Sequence, residues 1–422
     1  MTNVDIGIYN RATCALLSRV SLKSFFGRTN TAETLFDPRV IYDKRTGRFF
    51  VTVESRNSGN TDQFQFFAVS TSSAASAFFK YTLLLSQGTF RFCKRALNSF
   101  WDYPNVGSNA YRWYVTANDF PATGAASGAA LVINKSPTLT GSMTTVSCFA
   151  GLPSNIAPPI VLDTSTTATL LSPGSGGGSA IARRDFVVNT AGVGSNDALI
   201  ARPSFPIPAW TSSAGGVQPN GQRLDALDGR FQSASIQSRG LLWNVHTINQ
   251  SGFARARLYR LTNASTTVSP APSLIFTPFT TVKDDIFNPS VATGSGLVNA
   301  PIFITATRTV RTIPGPSGNA LMLMFSGLNA SANGADWAAD GIRASAVAIA
   351  TASGTTCNTS SRLVCRWGDY SSTQVDPLSS GRGLGWNQFN PGPGTTQFNW
   401  ATASGQVDLN LPFAPAQQAA GE

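Results

Sequence analysis

The stretch Phe36-Asp37-Pro38-Arg39-Val40 opens an apolar segment near the N-terminus, and Phe287-Asn288-Pro289-Ser290-Val291 opens another about 250 residues later. Related openings recur between the two. Each is followed by a turn and then by a second segment rich in aromatic and β-branched residues. An internal repeat of this size predicts an architecture built from equivalent supersecondary units.

Six windows share this plan, and they begin near residues 37, 102, 160, 230, 288 and 369. Each continues into one or two further apolar strands, and the third window, around 159–162 and 185–188, is degenerate. No helical periodicity of 10–15 residues lies between the strands, which argues against a parallel α/β sheet. The sequence therefore predicts an all-β fold in which residues 1–422 form a single six- or seven-bladed β-propeller.

Residues 1–36 are too short for a full window. The segments 4–9 and 14–20 resemble one hairpin, which makes residues 1–36 a partial blade. A ring of blades has to close somewhere, so we expect closure by strands from both termini.

The composition is typical of an exported β-protein. Charged residues make up only 12% of the chain, and 38 Gly and 24 Pro supply many turns. No charged start followed by an apolar run is visible in residues 1–36, so a signal peptide is not evident. No segment reaches the length and apolarity of a membrane span. We expect a secreted or cell-surface protein.

The net charge of +10 raises the question of nucleic-acid binding. The basic residues are scattered singly, and the densest group is Arg255, Arg257 and Arg260. Their alternation with apolar residues predicts the solvated face of a strand. Surface charge is thus favoured over a nucleic-acid footprint.

The five cysteines do not have the close paired spacing of a zinc site. Cys357 and Cys365 bracket a short polar loop, which indicates a disulfide, and Cys93 with Cys148 form a second candidate pair. Cys14 is left over. The single histidine, His246, rules out a His-based metal centre, and its apolar strand favours a hydrogen-bonded core role.

Several motifs carry a family resemblance. They are Ile8-Tyr9-Asn10-Arg11-Ala12-Thr13, Asp37-Pro38, Tyr42-Asp43, Gly47-Arg48-Phe49, Trp101-Asp102-Tyr103-Pro104, Arg230-Phe231-Gln232-Ser233-Ala234 and Trp367-Gly368-Asp369-Tyr370-Ser371. Together they resemble secreted bacterial β-propeller proteins of the sialidase-like superfamily, most of which have no established activity. The Asp boxes of true sialidases are absent, and Asp37-Pro38-Arg39-Val40 differs from their Arg-Ile-Pro motif. The resemblance therefore implies the fold and carries no catalytic role.

In a propeller, the window openings would lie near the central channel, where a glycan could meet stacking rings and polar groups. The candidate ligand-binding residues are Asp37, Arg39, Asp102, Tyr103, Arg230, Gln232, Asn288, Asp369 and Tyr370. The alternative is structural, because Asp and Asn before a strand cap turns through their own backbone. Repetition of the motif fits either role.

A glycosidase needs paired carboxylates, and Asp37, Asp102, Asp369 and Glu54 are available. No cofactor is expected, although a structural calcium ion could occupy Asp284-Asp285 or Asp225 with Asp228. The absence of sialidase machinery favours a binding or scaffold module for a glycan or protein partner. The alternative is a carbohydrate-active enzyme, a sialidase-like glycoside hydrolase or lyase. A third interpretation is a surface adhesion component.

Overall fold

The computed structural model describes residues 4–13, 15–189, 197–218, 221–263, 267, 272, 274–277, 284–294, 300–311, 321–328, 338–344, 364–389 and 401–408. Strands are the main secondary structure of the described part of the chain. Its α-helices are the single turns Leu22–Phe25 (α1) and Lys135–Thr138 (α2), and Phe92–Lys94 forms one 3-10 turn. The predicted all-β fold class is confirmed.

The chain divides into two compact units. Unit one comprises Met1–Ser172 with Arg183–Arg202, and unit two comprises Pro173–Ala182 with Pro203–Glu422.

Unit one is built from antiparallel meanders. Its strands are β1 (Asp5–Tyr9), β2 (Leu16–Ser21), β3 (Thr34–Asp43), β4 (Arg48–Arg56), β5 (Gln63–Ser70), β6 (Phe78–Gln87), β7 (Phe90–Arg91), β8 (Phe100–Ser108), β9 (Arg112–Phe120), β10 (Ser127–Asn134), β11 (Val146–Leu152), β12 (Pro159–Val161) and β13 (Thr167–Ser172). The strands β1 and β2 form the expected hairpin. The orders β3-β4-β5-β6-β7 and β8-β9-β10-β11 follow the chain, as expected for meanders.

The third window differs from the other openings. Its first strand, β12, runs parallel to β8 and pairs with it through Ile160 and Ser108. The boundaries between the units fall inside the next two strands, β14 (Gly177–Val187) and β15 (Ala198–Thr211).

The alternation of side chains in β4 explains why the first meander is covered on both faces. Val51 and Val53 pack in a cluster with Leu22 and Leu35. Phe50, on the opposite face, belongs to a second cluster and stacks on Trp113 with 4.8 Å between ring centroids. Since side chains repeat with a period of two along a strand, Thr52 and Glu54 share the face of Phe50.

Unit two repeats the meander. Its remaining strands are β16 (Gly216–Val217), β17 (Arg223–Leu224), β18 (Ser235–Ser238), β19 (Leu241–Gln250), β20 (Phe253–Thr262), β21 (Leu274–Phe276), β22 (Asp284–Thr293), β23 (Pro301–Val310), β24 (Leu321–Leu328), β25 (Ala338–Ala344), β26 (Val364–Cys365), β27 (Ser372–Val375), β28 (Arg382–Phe389) and β29 (Ala401–Asp408). The orders β18-β19-β20-β21, β22-β23-β24-β25 and β27-β28-β29 again follow the chain. A small sheet has the order β16-β17-β26.

The disulfide between Cys93 and Cys148 is present, with 5.5 Å between the two Cα atoms. It ties the 3-10 turn before β8 to β11. Cys365 is also disulfide-bonded, whereas Cys357 and Cys14 lie outside the described residues.

The expectation that Arg255, Arg257 and Arg260 form one solvated face is wrong for Arg255. Its side chain is buried, donates to the carbonyl oxygens of Ala254 and Asp284, and lies over the Phe253 ring. Neighbouring backbone acceptors and an aromatic ring replace water around this guanidinium. Among the described residues no helix is long and apolar enough to cross a membrane.

Candidate functional site

Three window openings share one backbone device, a β-bulge that contains an X-Pro step. The ladder register shifts between Phe36 and Arg39 in β3, between Asp102 and Asn105 in β8, and between Phe287 and Ser290 in β22. The residue before each proline has a left-handed backbone, with φ of 49° at Asp37, 66° at Tyr103 and 51° at Asn288. Bulges re-aim side chains, and a positive φ at a non-glycine residue persists only where surrounding structure enforces it.

In unit one, two of these bulges bring carboxylates together. One carboxylate oxygen each from Asp37, Glu54 and Asp102 lies within 4.8 Å of the other two. We call these three residues the acidic trio. Asp37 comes from the bulge of β3 and Asp102 from the edge of the bulge in β8. Glu54 comes from β4, directly opposite Phe36 in the ladder.

Arg39 fastens the two bulges to each other. Its Nε donates to the Pro104 carbonyl oxygen at 2.7 Å, and its Nη2 donates to Asn105 Oδ1 at 2.8 Å. Its guanidinium lies 6.0 Å from the centroid of the Tyr103 ring. Arg39 and Tyr103, both predicted as ligand-binding residues, thus hold the bulges together beside the trio.

Glu54 is the unusual member of the trio. Its side chain is 1% exposed, and neither carboxylate oxygen has a hydrogen-bond partner. Burial raises the pKa of Glu54 well above its usual range, and the negative charges of Asp102 and Asp37 raise it further. The Glu54 carboxyl is therefore strongly disposed to hold a proton.

Arg95 is the second arginine that acts on Glu54. Its charge, like that of Arg39, opposes the rise in the Glu54 pKa. Arg95 is already engaged, because it pairs with Asp119 at 2.8 Å and donates to Ser99 O at 3.0 Å. A cavity of about 230 Å³ borders Arg95, Asp119 and Cys93, and the trio does not line it.

The equivalent positions of the other two bulges provide an internal comparison for Glu54. Asn118 occupies that position opposite Asp102, and Thr307 occupies it opposite Phe287. Asn118 donates to Asn155 Oδ1 at 2.7 Å, and Thr307 Oγ1 accepts from Asn387 at 3.0 Å. At the other two bulges this position therefore holds a neutral side chain with a hydrogen-bond partner. The fold does not require a buried acid at residue 54.

In unit two, the corresponding candidates form a structural network. Asn288 Nδ2 donates to the carbonyl oxygens of Asp225 at 3.2 Å and Gly368 at 2.9 Å. Gln232 Nε2 donates to Asn288 Oδ1 at 2.8 Å and to the Asp369 carbonyl oxygen at 3.2 Å. These amides therefore join loops through backbone groups.

The remaining candidates of unit two are accounted for by local contacts. Arg230 forms a two-point ion pair with Asp228, at 2.7 and 3.0 Å. Arg366 bridges Asp225 and Asp369, at 3.0 and 2.8 Å. Tyr370 is half-buried beside this network.

Asp284 and Asp285, expected as calcium ligands, have other partners. Asp284 accepts from Arg308 Nε at 2.7 Å, while Asp285 pairs with Arg311 and accepts from the backbone N–H of Val217 and Ala254. Guanidinium groups and backbone amides therefore already compensate the charges of these two carboxylates.

His246 is a core residue. It is fully buried, its Nδ1 lies 2.6 Å from Gly229 O, and its Nε2 lies 2.9 Å from Tyr259 Oη. Burial lowers the pKa of His246 to about 4, so the ring is neutral at physiological pH.

Sequence reasoning named Glu54 among the available acids and left it out of the ligand-binding set. The signal that would have singled it out is its position in Phe49-Phe50-Val51-Thr52-Val53-Glu54, where it is the only ionisable residue of the six and the strand is covered on both faces. An acid at such a position is seldom buried unless it has a partner or a function.

No protein-family model matches the chain, and no curated protein matches it. Among solved structures it is similar to a Trypanosoma rangeli sialidase in complex with the inhibitor DANA, at a TM-score of 0.44 and 9% identity over 96% of this chain. It is also similar to a GH43 endo-arabinanase from Bacillus licheniformis, at a TM-score of 0.32 and 11% identity, with 68% of this chain and 91% of that chain covered. An endo-arabinase from Bacteroides thetaiotaomicron matches at a TM-score of 0.32 and 11% identity, with 67% of this chain and 95% of that chain covered. The chain spans 58% of the length of the sialidase.

Proposed function

We propose that this protein is an exported, carbohydrate-active β-propeller that hydrolyses glycosidic bonds at the acidic trio. The observation that carries the proposal is the buried, partnerless carboxyl of Glu54 between Asp37 and Asp102. Repeated four-stranded antiparallel meanders with one shared bulge support the propeller, and the Cys93–Cys148 disulfide supports export.

The trio meets the basic need of glycoside hydrolysis, which is two carboxyl groups in different protonation states. Asp102 is partly exposed and Asp37 is 8% exposed, so these two members of the trio are the ones placed to reach a glycan. In this mechanism the proton held by Glu54 passes through Asp102 to the leaving-group oxygen, the glycosidic bond breaks, and the Asp37 carboxylate bonds to the anomeric carbon. In the second step a water oxygen bonds to the anomeric carbon, the bond from that carbon to Asp37 breaks, and the proton of the water returns through Asp102 to Glu54. Glu54, too deeply buried to touch the substrate, keeps an exchangeable proton next to Asp102.

The spacing of the carboxylates favours retention of the anomeric configuration. Retaining enzymes hold their carboxyl groups about 5–5.5 Å apart, whereas inverting enzymes need about 6.5–9.5 Å to accommodate a water molecule. The oxygens of the trio lie within 4.8 Å of one another, which is below the inverting range.

Charge favours a neutral glycan as the substrate. A sugar carboxylate would meet the trio's negative charge, while Arg39 and Arg95 are engaged by protein acceptors. The proposed substrates are therefore neutral polysaccharides.

A pure binding or scaffold module is the weaker interpretation. Glycan-binding surfaces use accessible polar groups and exposed rings, and Glu54 offers neither. A binding role also leaves the energetic cost of a buried carboxyl without a function.

The test is a panel of neutral polysaccharides and sialoglycans scored for product release and for retention of the protein. Asp102→Asn is compared with Asp62→Asn, the same substitution at a turn outside the trio. Release that is lost in the first variant and kept in the second supports the proposal, with retained configuration read by NMR of the first product. Release unaffected by Asp102→Asn overturns it, and retention without any release restores the binding module.

A further inference from the structure

We infer that the acidic trio is also a binding site for one divalent cation, with calcium as the favoured ion. The inference goes beyond hydrolysis, because a cation held by these carboxylates would occupy the groups that hydrolysis needs.

The first support is the geometry of the donor atoms. One oxygen from each of Asp37, Glu54 and Asp102 lies within 4.8 Å of the others. Calcium binds oxygen ligands at about 2.3–2.6 Å, so a single ion can span oxygens separated by up to about 4.6–5.2 Å. The three donors can therefore meet one ion with little movement.

The second support is independent of the clustering. Both oxygens of Glu54 are buried and lack any hydrogen-bond partner, although the side chain is only 1% exposed. Buried polar atoms are almost always satisfied. The other buried glutamate of the described chain, Glu33, follows that rule, with Arg28 Nε at 2.8 Å and Ser55 Oγ at 2.6 Å. Glu54 therefore lacks the hydrogen-bonded partner that Glu33 has.

The balance of local charges points in the same direction. Glu54, Asp37, Asp102 and Asp119 carry four negative charges when ionised, against the two positive charges of Arg39 and Arg95. One divalent cation would neutralise the difference. Both guanidinium groups are turned to other acceptors, so they do not take its place.

The donor set selects the type of ion. All three side chains offer hard oxygen ligands, which suit calcium, magnesium or manganese over softer metals. Magnesium usually retains several water ligands, and the burial of Glu54 leaves little room for them. Calcium, which accepts bidentate carboxylates, fits better.

The experiment uses the full chain after treatment with a chelator. Ca²⁺ alone is titrated by calorimetry, and Tb³⁺ alone is titrated by luminescence excited through Trp101, the neighbour of Asp102. We expect one ion per chain, a rise in thermal midpoint on adding Ca²⁺, and an affinity loss of at least about tenfold in Glu54→Gln. Asp62→Asn is the matched control and should bind as the wild type does.

Equal affinity in the wild type and Glu54→Gln overturns the inference, as does the absence of binding to the chelator-treated wild type. Asp37→Asn provides a second variant should Glu54→Gln fail to fold. Cation binding without hydrolysis on any glycan refutes the proposed function alone, and hydrolysis without cation binding refutes this inference alone. If both hold, Ca²⁺ inhibits hydrolysis and a chelator restores it.

Discussion

Replacing Glu54 by Gln tests the physical basis of the site most directly. The substitution keeps the shape of the side chain and removes its charge. Because the folded-state pKa of Glu54 is raised above its usual 4.5, the wild type loses stability as pH rises from that value towards the folded-state pKa. In that window the unfolded chain has released the proton while the folded chain still holds it.

The size of the effect follows from proton linkage. One bound proton changes the free energy of unfolding by about 1.4 kcal/mol for each pH unit inside the window. The difference in stability between Glu54→Gln and the wild type should therefore increase with pH at this slope. Urea unfolding from pH 4.5 to 8 in chelator-containing buffer measures it.

Glu33→Gln is the matched control, since it is the same substitution at a buried glutamate in the same unit. Glu33 is paired with Arg28 and Ser55, so its neutralisation should destabilise the protein at pH 7 by about 1.5–3 kcal/mol. Glu54→Gln should stabilise it there. A difference between Glu54→Gln and the wild type that does not change with pH would refute the argument, as would a slope of opposite sign.

Three further predictions concern the two units. The wild type should lose up to about 3 kcal/mol of stability as the pH falls from 6.5 to about 4, because the unfolded chain gains a proton there that the folded ring, with its pKa at about 4, does not take up. His246→Phe should abolish this loss. Acid titration of the urea midpoint of both proteins measures this, and parallel curves would contradict it. Replacing Cys93 and Cys148 together by Ser opens a loop with a sequence separation of 55 residues and should cost about 4 kcal/mol in urea unfolding; a loss below 1 kcal/mol would show that the bridge constrains little. Asn288→Asp should destabilise the protein by about 1–3 kcal/mol because two carbonyl oxygens lose their donor. Asp37→Asn at the equivalent position should be neutral or stabilising. Equal losses of stability in the two variants would contradict the assignment of a structural role to Asn288 alone.

The fold class was predictable because it depends on local patterns. Period-two alternation, Gly turns and the absence of helical periodicity are all visible in the sequence, and they lead to antiparallel meanders. The repeated X-Pro openings were also visible, but the bulge was not. A register shift depends on how β3 pairs with β4, and a left-handed φ at Asp37 depends on the surrounding structure that enforces it.

The composition of the site was only partly predictable. Asp37 and Asp102 could be picked out from the repeat, since Asp37 directly precedes Pro38 and Asp102 lies two residues before Pro104. Their approach to each other depends on the hydrogen bonds from Arg39 to Pro104 and Asn105, which link residues more than sixty positions apart. Glu54 belongs to the site through a cross-strand pairing, and pairing is not a property of a single window.

The first bulge carries acids at positions where the other two bulges carry neutral residues, which indicates a function for these acids. Asp37 stands where the other bulges have Tyr103 and Asn288, and Glu54 stands where they have Asn118 and Thr307. The neutral copies fold into the same bulge, so the two acids add mutual repulsion and burial cost that the backbone does not require.

A chain that carries such a cost at one copy only is expected to gain stability when the charges are removed and to lose the function they serve. The double variant Asp37→Asn with Glu54→Gln should therefore unfold at higher urea than the wild type at pH 7, while it loses cation binding and hydrolysis. A double variant that is less stable than the wild type in the absence of any cation or glycan would mean that the acids are structural after all.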